Sequence, residues 1–160
     1  MLGQKGLSLG AWIEIYEKKT NDKVDFPEGY RLLYMAERGF AIIKPDIEGK
    51  MMIVYEVCGD ARFWRDVCEL IGLSMGLECV GTICTRHIKP YIRSFGWEIL
   101  REECTDGNCR YFCQDSIGRA VIITQRDINQ DTGEPTFWVV SYFNKKAATS
   151  LDDFDNISPF

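Results

Sequence analysis

The sequence predicts an α/β protein of the α+β kind, with a mixed, mostly antiparallel sheet, a helical crossover, flanking helices and extra C-terminal strands. Three observations predict it. Residues 51–58, Met51-Met52-Ile53-Val54-Tyr55-Glu56-Val57-Cys58, are apolar on both faces apart from Glu56, as in a strand buried from both sides. After Cys58-Gly59-Asp60 breaks that strand, Phe63, Val67, Leu70 and Ile71 recur at i, i+4, i+7 and i+8, an apolar helical stripe that ends near Gly76. Residues 79–85, Cys79-Val80-Gly81-Thr82-Ile83-Cys84-Thr85, are again short, β-branched and nearly uncharged, so a helix separates two strands expected to run parallel.

The remaining elements follow in order. Trp12, Ile15 and Tyr16 at i, i+3 and i+4 predict a short amphipathic helix over 11–19, with Ser8 as N-cap. Phe26-Pro27-Glu28-Gly29 is a turn, and residues 30–36 and 40–44 read as strands joined around Glu37-Arg38-Gly39. Asp46-Ile47-Glu48-Gly49 turns the chain into the strand at Met51, completing an antiparallel meander. Residues 86–96 predict a short helix closed by Gly96, starting near Lys89 because Pro90 is tolerated only in a first turn. Residues 97–104 and 109–115 flank Thr105-Asp106-Gly107-Asn108, a hairpin signal, and residues 120–125 and 136–144 form a further pair.

At 160 residues the length predicts a single domain, residues 1–144, followed by an acidic tail, 145–160, of the polar composition expected of a flexible segment. No basic-then-apolar leader and no bilayer-length apolar run is present, and seven cysteines is an odd number, which together predict a cytoplasmic, non-membrane protein. The net charge is −5, and Asp152, Asp153 and Asp155 carry three of those charges, leaving −2 on the first 150 residues. A nonspecific nucleic-acid binder would be basic, so any basic surface must be local.

The order helix, three strands, crossover helix, strand, short helix, Gly-aromatic pair and two strands resembles the GCN5-related N-acetyltransferase (GNAT) superfamily over roughly residues 8–115. In that family the strand before the crossover ends in Gln/Arg-x-x-Gly-x-Gly/Ala, whose backbone N–H groups hold the pyrophosphate of acetyl-CoA at a helix N-terminus. The matching stretch is Glu56-Val57-Cys58-Gly59-Asp60-Ala61. Gly59 and Ala61 keep the small positions, Glu56 replaces Gln or Arg, and Asp60 adds a negative charge that Arg62 and Arg65 are positioned to offset. The resemblance implies acetyl-CoA as cofactor, with Val57, Cys58, Gly59, Asp60, Ala61 and Arg62 as its binding residues, and an amine as acceptor. It also implies Glu56 as general base, since a carboxylate in an apolar strand has a raised pKa. The family's tyrosine four residues before the Gly-aromatic pair falls on Ile92; Tyr91 stands one residue away, a rotation of about 100° on a helix, and is the candidate general acid.

The competing readings are a Glu56 paired to a neighbouring arginine or reaching solvent at a sheet opening, and a Gly59 that only turns the chain, with Asp60 as N-cap. Cys104, Cys109 and Cys113 fall in one hairpin, and with His87 they offer four ligands. The absence of a Cys-x-x-Cys pair favours plain thiols, or a Cys104–Cys109 disulfide under oxidising conditions, over a metal. Arg86, Lys89 and Arg93 are spaced to share a helix face beside Tyr91, a pattern for phosphates and bases whose ordinary meaning is a solvated face. The last ten residues, with Asp152, Asp153, Asp155, Pro159 and Phe160, resemble the acidic tip of bacterial single-stranded DNA-binding proteins, although Ser158 interrupts the pattern. That resemblance implies single-stranded DNA or a replication or repair protein as partner, the alternative to acyl transfer.

Overall fold

Ser8 starts the first helix as its sequence position predicts. Its Oγ accepts the Ala11 N–H at 3.1 Å, and Asn21, at φ 55°, closes α1 (Leu9–Thr20) in the left-handed region. The computed structural model describes residues 6–152 and divides into two units, Met1–Leu77 and Glu78–Phe160.

In the first unit, β1 (Arg31–Met35), β2 (Gly39–Asp46) and β3 (Met51–Gly59) form the expected antiparallel meander. Trp12 of α1 packs on Phe40 and Ile42 and donates its indole N–H to the Ala36 carbonyl at 2.8 Å. The crossover helix α2 (Ala61–Ser74) ends at Gly76, φ 77°, where the Leu77 N–H returns to the Gly72 carbonyl at 2.8 Å. Its buried line differs from the expected stripe: Trp64, Cys68 and Gly72 face inward, whereas Leu70 is 74% exposed. Two apolar lines lie side by side on this helix, and the one ending in the small Cys68 and Gly72 permits the closer approach.

In the second unit, β4 (Cys79–Cys84), α3 (Ile88–Ser94), β5 (Glu98–Thr105), β6 (Asn108–Gln114), β7 (Arg119–Ile128), β8 (Pro135–Lys146) and α4 (Ala147–Asp152) follow one another. The strands lie in the order β4-β8-β7-β6-β5, all antiparallel. After α3 the chain therefore crosses to the far strand and meanders back to β4. Pro90 is the third residue of α3, where its missing N–H costs no helical bond. Both central residues of the β5–β6 turn are left-handed, Asp106 at φ 52° and Gly107 at φ 81°, as a two-residue hairpin requires. The core gathers Ile88, Ile92, Tyr111, Val121, Ile123, Phe137 and Val139.

Lys145 and Lys146 extend β8, and residues 147–152 form α4, with Ala147 1% exposed against Phe112, Ala120 and Ile122. The polar composition concealed an anchor of two apolar residues, Ala147 and Leu151, on that cluster.

The β6–β7 turn is held by Asp115, whose carboxylate accepts the N–H groups of Ile117 at 3.1 Å and Arg119 at 2.8 Å and the Arg119 Nε at 2.7 Å. Burial alone would raise its pKa, but these donors hold it below the ordinary value. The stabilisation is therefore present above an unfolded pKa of about 3.9 and is lost as pH falls through the lowered folded value. Asp115→Ala is expected to cost about 2 kcal/mol, because three donors lose their acceptor, and to flatten the acid limb of a denaturation series.

Candidate functional site

The strand β3 carries an irregularity at the proposed catalytic position. Ile42 pairs with Glu56 and Ile43 with Val54, so Tyr55 is an extra residue, and a bulge of this kind re-aims the side chains beside it. Tyr55 is exposed, its ring 5.4 Å from that of Tyr30, while Glu56 is half-buried. The Tyr16 hydroxyl of α1 and the Asp25 backbone N–H lie near the Glu56 carboxylate and favour its charged form. Its Oε2 is buried without a hydrogen-bond partner among the described residues. Burial raises the Glu56 pKa above the ordinary carboxylate value, Tyr16 opposes the rise, and the Asp22 charge adds to it. Burial and the Glu56 charge raise the Tyr16 pKa as well, which keeps its hydroxyl protonated. Glu56 is thus a carboxylate with a raised pKa and a buried oxygen that has no partner among the described residues, and a raised pKa makes a carboxylate a stronger proton acceptor.

The turn after β3 is shaped first by the backbone of β2. Gly59 and Gly39 both have φ of 99°, and a Cβ on Gly59 would stand 2.2 Å from the Arg38 carbonyl oxygen. The Asp60 N–H donates to that carbonyl at 2.9 Å, and the Trp64 indole N–H shares it at 2.9 Å. Asp60 is the N-cap of α2: its Oδ1 accepts the Phe63 N–H at 3.1 Å, while Oδ2 lies 2.6 Å from Arg38 Nη1. Arg38 also stacks 4.9 Å above the Phe63 ring. Of the cations expected to offset Asp60, Arg65 is otherwise engaged; it pairs with Glu69 and with Asp66, the latter at 3.8 Å. Arg38 takes its place. Its position in the β1–β2 turn, far from the motif in sequence, gave no local signal.

Asp60→Ala is expected to destabilise the unit by about 1 kcal/mol, the value of a helix N-cap, measured by denaturant unfolding. The same change leaves Arg38 without its carboxylate.

No protein-family model and no curated protein matches the chain. Among solved structures, the crystal structure of Ard1 from Thermoplasma volcanium aligns with 91% of this chain and 100% of its own, at 9% identity and a TM-score of 0.43. A superposition of that quality carries no argument about activity.

The remaining expected residues lie in the second unit or beyond the described chain. Ile92, on the family's tyrosine register, is 2% exposed and belongs to the core. Tyr91 beside it is half-buried, with ring centroids 5.1 Å from Phe95 and 6.0 Å from Trp97. Desolvation raises its hydroxyl pKa, Cys84 adds to the rise, and Arg86 opposes it. Arg86, Lys89 and Arg93 are exposed, but Lys89 meets Glu102 at 3.2 Å, and His87 lies 3.9 Å from Glu134. Cys104 and Cys109 form a disulfide rather than the plain thiols favoured from sequence. Direct cross-strand pairing accounts for it, since the register sets the two residues opposite one another. Asp152 ends α4, and Asp153, Asp155, Pro159 and Phe160 lie outside the described residues.

Proposed function

We propose that the chain is a GNAT-like N-acyltransferase in which Glu56 accepts the proton of an acceptor amine. The observation that carries this reading is Glu56 itself, set beside a bulge, desolvated, near Tyr16, and with one buried oxygen that has no hydrogen-bond partner among the described residues. Such a group takes a proton from an ammonium with little reorganisation and leaves a neutral amine as nucleophile. Acetyl-CoA, when bound, supplies the acyl thioester that this amine attacks. Tyr91, kept protonated by desolvation, is the proposed proton donor.

The Arg38 guanidinium beside the start of α2 supports cofactor binding at this turn, where the Asp60 N–H is given to the Arg38 carbonyl and the Phe63 N–H to Asp60. Val57, Cys58, Gly59, Asp60, Ala61 and Arg62 are the residues that would hold it, with first-turn amides and the Arg38 guanidinium opposite phosphate oxygens. Asp60 is the competing anion at that helix end. Acetyl-CoA titration by calorimetry tests the reading: binding is expected, tighter by about tenfold for Asp60→Asn, on the scale of one charge at a helix terminus. Absence of heat at millimolar acetyl-CoA for both proteins overturns it.

Asp60 also favours a second reading, a non-enzymatic binding protein on a degenerate cofactor turn, engaging single-stranded DNA or a replication or repair protein. Exposed Arg86 and Arg93 support it, while the charge of Lys89 is spent on Glu102. Fluorescence anisotropy of labelled oligonucleotides at low salt, with and without residues 151–160, separates the two. Unchanged anisotropy removes direct DNA binding.

A further inference from the structure

The Cys104–Cys109 disulfide closes the outer end of the β5–β6 hairpin. Cys104 is exposed, whereas Cys109 packs half-buried on the core of its unit, with its N–H on Gln125 Oε1 at 3.0 Å. The five other cysteines are free thiols, and four of them are buried. Burial pushes Cys68, Cys79 and Cys113 up to about 12 and raises Cys84 as well. Sulfur exchange needs both a thiolate and access, and neither condition is met at those four. The reachable sulfur of the chain is therefore concentrated at the hairpin tip, with Cys58, half-buried in the first unit, as the one competitor.

We propose that Cys104–Cys109 is a reversible thiol–disulfide exchange site for a low-molecular-weight thiol of the glutathione class, and that its opening releases the outer end of β5. In the opening step a small thiolate attacks Cys104 Sγ, the more exposed sulfur. The Cys104–Cys109 bond breaks as the mixed disulfide forms, and the electron pair leaves on Cys109 Sγ, which takes a proton from solvent. A second small thiolate attacks the small-molecule sulfur of the mixed disulfide. It releases the oxidised small-thiol dimer and a Cys104 thiolate that is protonated in turn, so two thiols supply the two electrons that reduce the protein.

Two features of the fold make the exchange reversible and give it a consequence. The left-handed pair Asp106 and Gly107 sets the turn independently of sulfur, so each re-pairing of the hairpin brings the reduced thiols opposite one another and the bond can re-form. Within its unit β5 is the last strand and is hydrogen-bonded to β6 alone. With the disulfide open, its end is retained by a few ladder bonds and by the exposed Lys89–Glu102 pair, a weak tie in water.

The test equilibrates the full chain with graded ratios of reduced to oxidised glutathione, traps thiols with iodoacetamide and maps them by mass spectrometry. Hydrogen exchange is followed on both forms. Cys104 and Cys109 are expected to become alkylated together while the five other cysteines stay protected. Exchange is expected to rise about tenfold or more at residues 102–110 and nowhere else, the behaviour of a local opening. The Cys104→Ser/Cys109→Ser variant should exchange as the reduced form does and ignore the glutathione ratio. Labelling of Cys58 or a buried cysteine before the pair, or identical exchange in the two forms, overturns the proposal. Should the double variant fail to fold, the wild-type titration decides the matter alone.

Discussion

Gly59→Ala is expected to destabilise the first unit by about 3 kcal/mol or more, the sum of a forced left-handed backbone and an overpacked contact. The physical cause is geometric. At φ 99° an L side chain is strained whatever space surrounds it, and the added Cβ would stand 2.2 Å from the Arg38 carbonyl oxygen. That oxygen already accepts from the Asp60 N–H and the Trp64 indole, so its retreat would loosen the start of α2 and the buried tryptophan together. Gly39→Ala should behave alike, since its Cβ would meet the Cys58 carbonyl oxygen at 2.0 Å. Urea unfolding of both variants is the measurement. A Gly59→Ala protein as stable as the wild type, but unable to bind acetyl-CoA, would assign this glycine to phosphate approach alone.

Glu56→Gln is expected to lower acyl transfer by about 10²–10⁴-fold, the contribution of a general base, while making the protein more stable at neutral pH. The two effects have one origin. A carboxylate whose folded pKa is raised stabilises fully below its unfolded value, about pH 4.3, and loses that contribution as pH rises through the folded value. Above the folded pKa the ionised group is therefore a burden that glutamine removes. The gain is expected to be about 0.5–1 kcal/mol, the scale of one relieved functional-site residue. Wild-type stability should fall across the Glu56 titration, and that slope should be absent in the variant. A loss of stability in Glu56→Gln at pH 7 would instead make the carboxylate a structural anchor.

Local patterns were legible where they rest on local physics. Ser8 as N-cap, Gly76 and Gly96 as helix stops and Asp106-Gly107 as a hairpin turn act within a few residues of their own position, so spacing alone reveals them. The same logic located Glu56 as the one charge in an apolar strand. It could not choose between the two apolar lines of α2, because Leu70 and Cys68 differ in burial through what packs against them and not through their own hydrophobicity. It also took residues 145–160 as one polar tail, since Ala147 and Leu151 are weak apolar signals until a sheet offers them a surface.

The order of helices and strands as far as β8, their turns and the isolated carboxylate of β3 thus follow from residue spacing, because hydrogen bonding and side-chain direction repeat over a few residues. The partners of the site do not. Arg38 reaches Asp60, Gly39 abuts Gly59, Tyr16 lies near Glu56, and Cys104 meets Cys109 through register. Each is a contact that exists only once separate segments have been brought together.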